Sequence, residues 1–287
     1  MVQLIDSEIK TREVLGWKGI HVLHYAGSSC SQKLRIFLNL KGIKWESHLI
    51  DLSKTENFSP WFLGINPRGL VPVLVHDGAV HIESNDIITY LEKKFPEPRL
   101  IPAGREDNVA ALLRHEDDLH LDLRTLSFRF VFDRRGPAKS AEALKTYVAH
   151  SSGTVGGLPD PEKAHQMEFW NRTATEGLTD EASRISASKF QAEFDKLDKQ
   201  LGNAPYLMGD TLTVLDIAWF IYTNRLSLAG YPFARLHPHV AAWHQKLLAR
   251  PEFAKEVAMA PHVQEAVTKA QLTLRQEGKT LEAVTGL

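Results

Sequence analysis

The tripeptide His76-Asp77-Gly78 stands between two β-favouring runs, Val71 to Val75 and Ala79 to Ile82. Asp-Gly in that setting specifies a tight hairpin, because the turn needs residues that tolerate positive φ. Upstream, Gly19 to Tyr25 is a short β-favouring run, and Ser31 to Lys41 places Leu34, Phe37 and Leu38 at helical spacing before Gly42 stops it. Lys44 to Ile50 is again strand-like, which completes a βαβ unit. Downstream, Ser84 suits the cap of a helix carrying Ile87, Ile88, Leu91 and Phe95 before Pro96.

The order βαβ, loop, ββα predicts an α/β, thioredoxin-like N-terminal domain over 19–96, with an N-terminal extension over 1–18. Pro-Glu-Pro-Arg-Leu-Ile-Pro-Ala-Gly has linker composition, so a linker is expected over 97–104 and an all-α C-terminal domain over 105–287. Val109 to Leu126, Ser186 to Leu201 and Val240 to Leu248 are amphipathic at helical period. Between the first two, about 134–185 is polar and holds Ser151-Ser152-Gly153 and Gly156-Gly157-Leu158-Pro159. It is expected as an insertion that leaves the helical bundle. Thr213-Val214-Leu215-Asp216 before the apolar run Ile217 to Tyr222 is a capping box with Asp in the usual Glu position.

Charge excludes some partners. With 34 basic and 35 acidic residues among 287, the net charge of −1 supplies no field to gather polyanions, so no nucleic acid or membrane partner is expected. No apolar run nears the roughly 20 residues that span a bilayer, and residues 1–19 mix acidic and basic side chains unlike a signal peptide, so a cytoplasmic location is expected. The single cysteine, Cys30, has no intrachain partner. Thirteen histidines invite a metal reading, but no two stand four apart and no recognised ligand spacing occurs, so no metal is expected.

Ser28-Ser29-Cys30-Ser31 followed by Gln32-Lys33-Leu34-Arg35, then Asn66-Pro67-x-Gly69-x-Val71-Pro72, Glu83-Ser84 and the Thr213/Asp216 cap, together resemble the glutathione transferase superfamily from about Gly19 to Ala258. The first of these is similar to the zeta-class signature. The resemblance implies glutathione as co-substrate and a cis Val71-Pro72 bond that turns the Val71 backbone toward the cysteinyl part of glutathione. It implies that Glu83 takes the γ-glutamyl ammonium and Ser84 the α-carboxylate at a helix N-terminus. The glycyl end is expected on Lys54 or Arg68, since Leu70 occupies a position where many relatives carry a polar residue.

The family's chemistry needs a thiolate at neutral pH. Lowering a thiol's pKa of about 8.5 by about two units takes roughly 2.7 kcal/mol, within reach of a helix N-terminus plus one hydroxyl hydrogen bond. Ser28 and Ser29 are both candidates for that hydroxyl, with Ser29 slightly favoured, and both also suit a plain helix cap. Cys30 is given a supporting role.

Ser59-Pro60-Trp61-Phe62, Pro159-x-Pro161, Trp170-Asn171-Arg172 and Gly177-Leu178 are similar to bacterial glutathione-dependent β-etherases, which cleave lignin-derived aryl ethers. That resemblance implies an aromatic electrophile as the small-molecule partner. His115, Asp118, His120, Arg124 and Phe128, with Tyr147, are the candidates to line its pocket, and a solvated helix face or core packing is the commoner role for most of these residues taken singly. A dimer, of identical or different subunits, is the expectation. A zeta-like isomerase that regenerates glutathione and a non-enzymatic glutathione-binding module are the alternatives.

Overall fold

The computed structural model describes residues 2–132 and 139–287, so residues 134–138 of the expected insertion lie outside the described residues. The strands and helices of the first part are β1 (Val2–Gln3), β2 (Ile20–His24), α1 (Ser29–Lys41), β3 (Glu46–Leu49), α2 (Pro60–Leu63), β4 (Val73–His76), β5 (Ala79–Ile82) and α3 (Ser84–Lys94). Then follow α4 (Glu106–Asp117), α5 (His120–Leu126), α6 (Ala141–His150), β6 (Thr154–Val155), β7 (Leu158–Pro159), α7 (Glu162–Glu176), α8 (Asp180–Leu201) and α9 (Val214–Leu228). The last are α10 (Phe233–Leu236), α11 (Pro238–Leu248), α12 (Pro251–Val257), α13 (Pro261–Gln276) and α14 (Leu281–Thr285).

Two compact units result, one bounded as Met1–Pro96 with Gly136–Gly177, the other as Glu97–Arg135 with Leu178–Leu287. In the first, a sheet of order β1-β5-β4-β2-β3 is parallel only between β2 and β3, the pair joined by α1. This is the thioredoxin-like arrangement. Ser28 caps α1 and Gly42, at φ 64, closes it in the left-handed conformation that glycine adopts freely. Leu34, Phe37, Leu38, Ile87, Ile88 and Leu91 are fully buried on α1 and α3, which pack together. The other core gathers Leu23, Phe62, Ile65, Val73, Val75 and Ile82.

The first eighteen residues are not a free extension. β1 adds a fifth strand antiparallel to β5, and Leu4, Ile9 and Val14 enter the sheet's core. Residues 139–177 of the expected excursion likewise belong to the sheet unit, whereas 178–185 fall in the helical one. Ala143 and Tyr147 of α6 bury against Phe58 and Leu63, Ser151 Oγ donates to the Pro67 carbonyl at 2.6 Å, and Glu8 accepts from the N–H groups of Gly156 and Gly157.

The second unit is helical. α9 is apolar on all sides and almost wholly buried, as the central helix of a bundle must be. Its capping box forms, and Asp216 also accepts from Leu207 N–H and Trp243 Nε1–H at 2.9 and 3.1 Å. Val109 to Leu126 is not one helix. α4 ends at Asp117, α5 starts at His120, and a π-helical turn over Ser127–Val131 re-phases the chain so that Phe130 and Val131 are both buried. Among the described residues no helix is long and apolar enough to cross a membrane.

Candidate functional site

The sheet register brings three distant segments to one end of the sheet. Leu23 pairs with Val73 and Val73 with Ile82. The chain leaving β2 toward α1, the Val71-Pro72 approach to β4 and the Glu83-Ser84 exit from β5 therefore emerge side by side.

At the first of these, Ser28 Oγ accepts the Ser31 N–H at 3.3 Å, the work of a helix cap. Ser29 is the first residue of α1 and is half-buried, and its hydroxyl has no hydrogen-bond partner among the described residues. Cys30 is half-buried one residue further on. Ser31 is buried, its hydroxyl accepting the Tyr25 N–H. A helix of thirteen residues places the positive end of its dipole here.

At the second, Val71-Pro72 is cis, and neither the N–H nor the C=O of Val71 is hydrogen-bonded among the described residues. The preceding loop is held by Asn66, whose amide donates to the Leu70 carbonyl and whose oxygen accepts the Arg68 N–H. Asn57 donates to the Gly69 carbonyl at 2.6 Å. Gly69, at φ 65, passes so near Phe58 and Tyr147 that a Cβ would come within 3.1 Å of both rings. Glycine is required there on both counts.

At the third, Glu83 has φ 67 and ψ 114, a conformation costly for a residue with a side chain, and it positions the first turn of α3. Ser84 begins that helix, buried, with its hydroxyl unpartnered among the described residues.

The Arg68 guanidinium is held by two carboxylates. Nη1 donates to Glu83 at 2.6 Å, while Nε and Nη2 donate to the two oxygens of Asp160 at 2.7 and 2.8 Å. Burial alone would lower the guanidinium's pKa, but the hydrogen bonds to Asp160 and the charge of Glu83 outweigh it and fix the positive charge. The other glycyl candidate, Lys54, is exposed and pairs loosely with Asp51 at 3.6 Å. Asp160 was not singled out by sequence reasoning. Its only signal was its place between Pro159 and Pro161.

The residues expected to bind the electrophile fall in the second unit, except Tyr147. His115 is half-exposed and pairs with Glu193 at 2.9 Å, tying α4 to α8. Asp118 is an exposed helix end. His120 meets the Tyr222 hydroxyl at 3.3 Å, and with Arg124 and Phe128 it recurs every four residues, all three partly exposed. Tyr147 is fully buried, stacked on Phe58 and donating to the Arg68 carbonyl at 3.2 Å, so it supports the loop instead of lining a pocket. A cleft of about 460 Å³ in the second unit, bordered by Tyr231, Arg235, His244 and Glu282, includes none of the candidates.

Comparison with known proteins agrees with this fold. The family descriptions "Glutathione S-transferase, N-terminal domain" and "Glutathione S-transferase, C-terminal domain" match residues 27–94 and 175–246. Protein LigF of Sphingobium is 30% identical over 221 residues, covering 74% of this chain and 82% of LigF. The chain belongs to the glutathione S-transferase family. The crystal structure of the β-etherase LigF superposes with a TM-score of 0.61 at 27% identity, covering 83% of this chain and 98% of that one. Glutathione S-transferase 1 of Dianthus caryophyllus is 52% identical over 75 residues, and a zeta-class enzyme of Euphorbia esula 49% over 79. These stretches are 26% and 28% of this chain and span only about a third of either relative, 34% and 35%.

Proposed function

We propose that this protein is a glutathione transferase whose bound thiolate attacks an aromatic electrophile, with cleavage of a β-aryl ether as its reaction. The observation that carries the reading is the convergence of an unpartnered Ser29 hydroxyl, an unpartnered Val71 backbone and the Glu83-Ser84 helix start at one end of the sheet. The likeness to LigF supports the ether as substrate. Glu83 takes the γ-glutamyl ammonium, Ser84 the α-carboxylate, and Val71 pairs with the cysteinyl backbone. The Ser29 hydroxyl and the N-terminus of α1 then hold the sulfur as thiolate. The thiolate forms a C–S bond at the carbon bearing the ether oxygen, the C–O bond breaks, and the phenolate leaves and takes a proton. His120, Arg124 and Phe128 are the residues proposed for the aromatic groups, and a dimer in the cytoplasm is the proposed working form.

A zeta-like isomerisation is the second reading, favoured by the 49% identity over 79 residues to the zeta-class enzyme of Euphorbia esula. Incubation of the protein with glutathione and a β-aryl ether, followed by mass spectrometry, separates the two. Phenol release matched by a glutathione adduct on the other fragment is expected. Turnover of a cis-enedione acid with no loss of glutathione would replace the first reading by the second, and binding without turnover of either would leave a binding module.

A further inference from the structure

The far end of β2 carries a second constellation. His21 on β2 pairs in register with Glu46 on β3, and His48 lies two residues beyond on the same strand, so all three side chains leave the same face of the sheet. β3 is the edge strand, and the group sits at the end of β2 opposite the exit toward α1. His21 Nδ1 lies 3.0 Å from His48 Nε2 and 3.4 Å from a Glu46 carboxylate oxygen, and the three donor atoms fall within 4.8 Å of one another. Three donors at about 2.0–2.1 Å from a tetrahedral ion stand about 3.3 Å apart, so these separations already approach a coordination shell.

The protonation pattern agrees. His21 Nε2 lies 2.9 Å from the Lys18 carbonyl, which can only accept, so Nε2 carries the proton and Nδ1 presents its lone pair to the other two groups. A backbone carbonyl fixing the tautomer of a histidine in this way is the usual outer support of a metal ligand. Trp17 stacks on His48 at 4.4 Å and 11° and covers His21 at 4.7 Å, so both rings are held in orientation. The Glu46 carboxylate oxygen 3.4 Å away and His48 Nε2 3.0 Å away both face the His21 Nδ1 lone pair, so a cation placed among the three atoms would meet all of them.

We infer that His21, Glu46 and His48 form a binding site for a borderline divalent cation, Zn²⁺ being the best match to two imidazoles and one carboxylate, with a water completing the tetrahedron. The ion would clamp the edge strand β3 to β2 beneath Trp17. Linear spacing could not reveal it, because His21 and His48 are 27 positions apart and meet only through the strand register.

The test is equilibrium dialysis of the chelator-treated full chain with Zn²⁺, with Co²⁺ as an absorbance probe of tetrahedral ligation. One ion per chain and a rise in Tm on adding Zn²⁺ are expected. His48→Gln, which keeps a hydrogen-bonding side chain, and Glu46→Gln, at an exposed carboxylate, should each weaken binding by at least the roughly 10–100-fold that loss of an outer supporting residue costs. His150→Gln, at an exposed histidine outside the group, should leave it unchanged. Binding that survives in both the Glu46 and the His48 variant, or no stoichiometric binding in the parent, would overturn the assignment. Should His48→Gln fail to fold, the Glu46 variant decides.

Discussion

Arg68 and Asp160, 92 positions apart, form a two-point ion pair in which Nε and Nη2 meet the two carboxylate oxygens at 2.7 and 2.8 Å. With Glu83 on the same guanidinium, the trio carries one net negative charge. Glu83 and Arg68 alone would be neutral and would offer little to an ammonium group. In the proposed site Asp160, from the segment after α6, would restore the negative charge that a γ-glutamyl ammonium needs.

Asp160→Asn should therefore raise the Kd and KM for glutathione about tenfold, the equivalent of about 1.4 kcal/mol, with little change in kcat. Titration calorimetry with glutathione checks it. An unchanged Kd would leave Asp160 a structural role only. Arg68→Lys should not rescue geometry, since an ammonium cannot bridge two carboxylates in a plane.

Tyr147 ties α6 to the Asn66–Leu70 loop. Tyr147→Phe removes one hydrogen bond and should cost about 1 kcal/mol, whereas Tyr147→Ala opens a cavity beside Gly69 and Phe58 and should cost about 3–5 kcal/mol. Burial pushes the phenol up to about 12. A folded pKa above the unfolded value of about 10 means stability that is intact below pH 10 and lost as pH rises toward 12. Urea melts at pH 9 and 11.5 should show that loss in the parent and less of it in Tyr147→Phe.

His81 is almost fully buried, its two ring nitrogens have no hydrogen-bond partner among the described residues, and it stacks on Tyr90 at 4.0 Å. Burial lowers its pKa to about 4, and burial does the same to His244. A histidine depressed on folding gives stability that is complete above the unfolded pKa of about 6.5 and lost as pH falls through 4. His81→Phe should keep the stacking, raise Tm at pH 5 by a few degrees and flatten the acid side of the stability curve. A lower Tm at pH 5 would show that the imidazole has a role the stack does not explain.

Asp216 is fully buried and accepts from Leu207 N–H, Thr213 N–H, the Thr213 hydroxyl and the Trp243 indole. Burial pushes its carboxyl up and the four donors oppose that. Asp216→Asn puts an amide N–H among donors and should destabilise by about 2–4 kcal/mol, with Thr213→Ala costing about 1 kcal/mol. Chemical denaturation gives both values. A loss below 1 kcal/mol for Asp216→Asn would mean the network is not coupled to folding.

What could be read from the sequence was local. A cap at Ser28 or Ser29, the stop at Gly42, the Asp77-Gly78 turn and the Thr213/Asp216 box each depend on residues within a few positions; the fold chooses Ser28 for the cap and shows the other three. What could not be read depends on pairs far apart in the chain. β1 needs β5 as its partner, Asp160 needs Arg68, and Tyr147 needs the Gly69 turn to lie beneath it. The break between α4 and α5 at Asp118–Leu119 lay hidden for a related reason, because the apolar positions continue through it, and a second re-phasing follows at the π-helical turn after α5.

The most direct test of the central claim is the ionisation of bound glutathione, followed by thiolate ultraviolet absorbance against pH in the parent, Ser29→Ala and Ser28→Ala. The account predicts a bound thiol pKa about two units below that of free glutathione, restored most of the way by Ser29→Ala with about a hundredfold loss of turnover, and little changed by Ser28→Ala. An unshifted pKa in the parent, or a shift that survives the loss of Ser29, would contradict it.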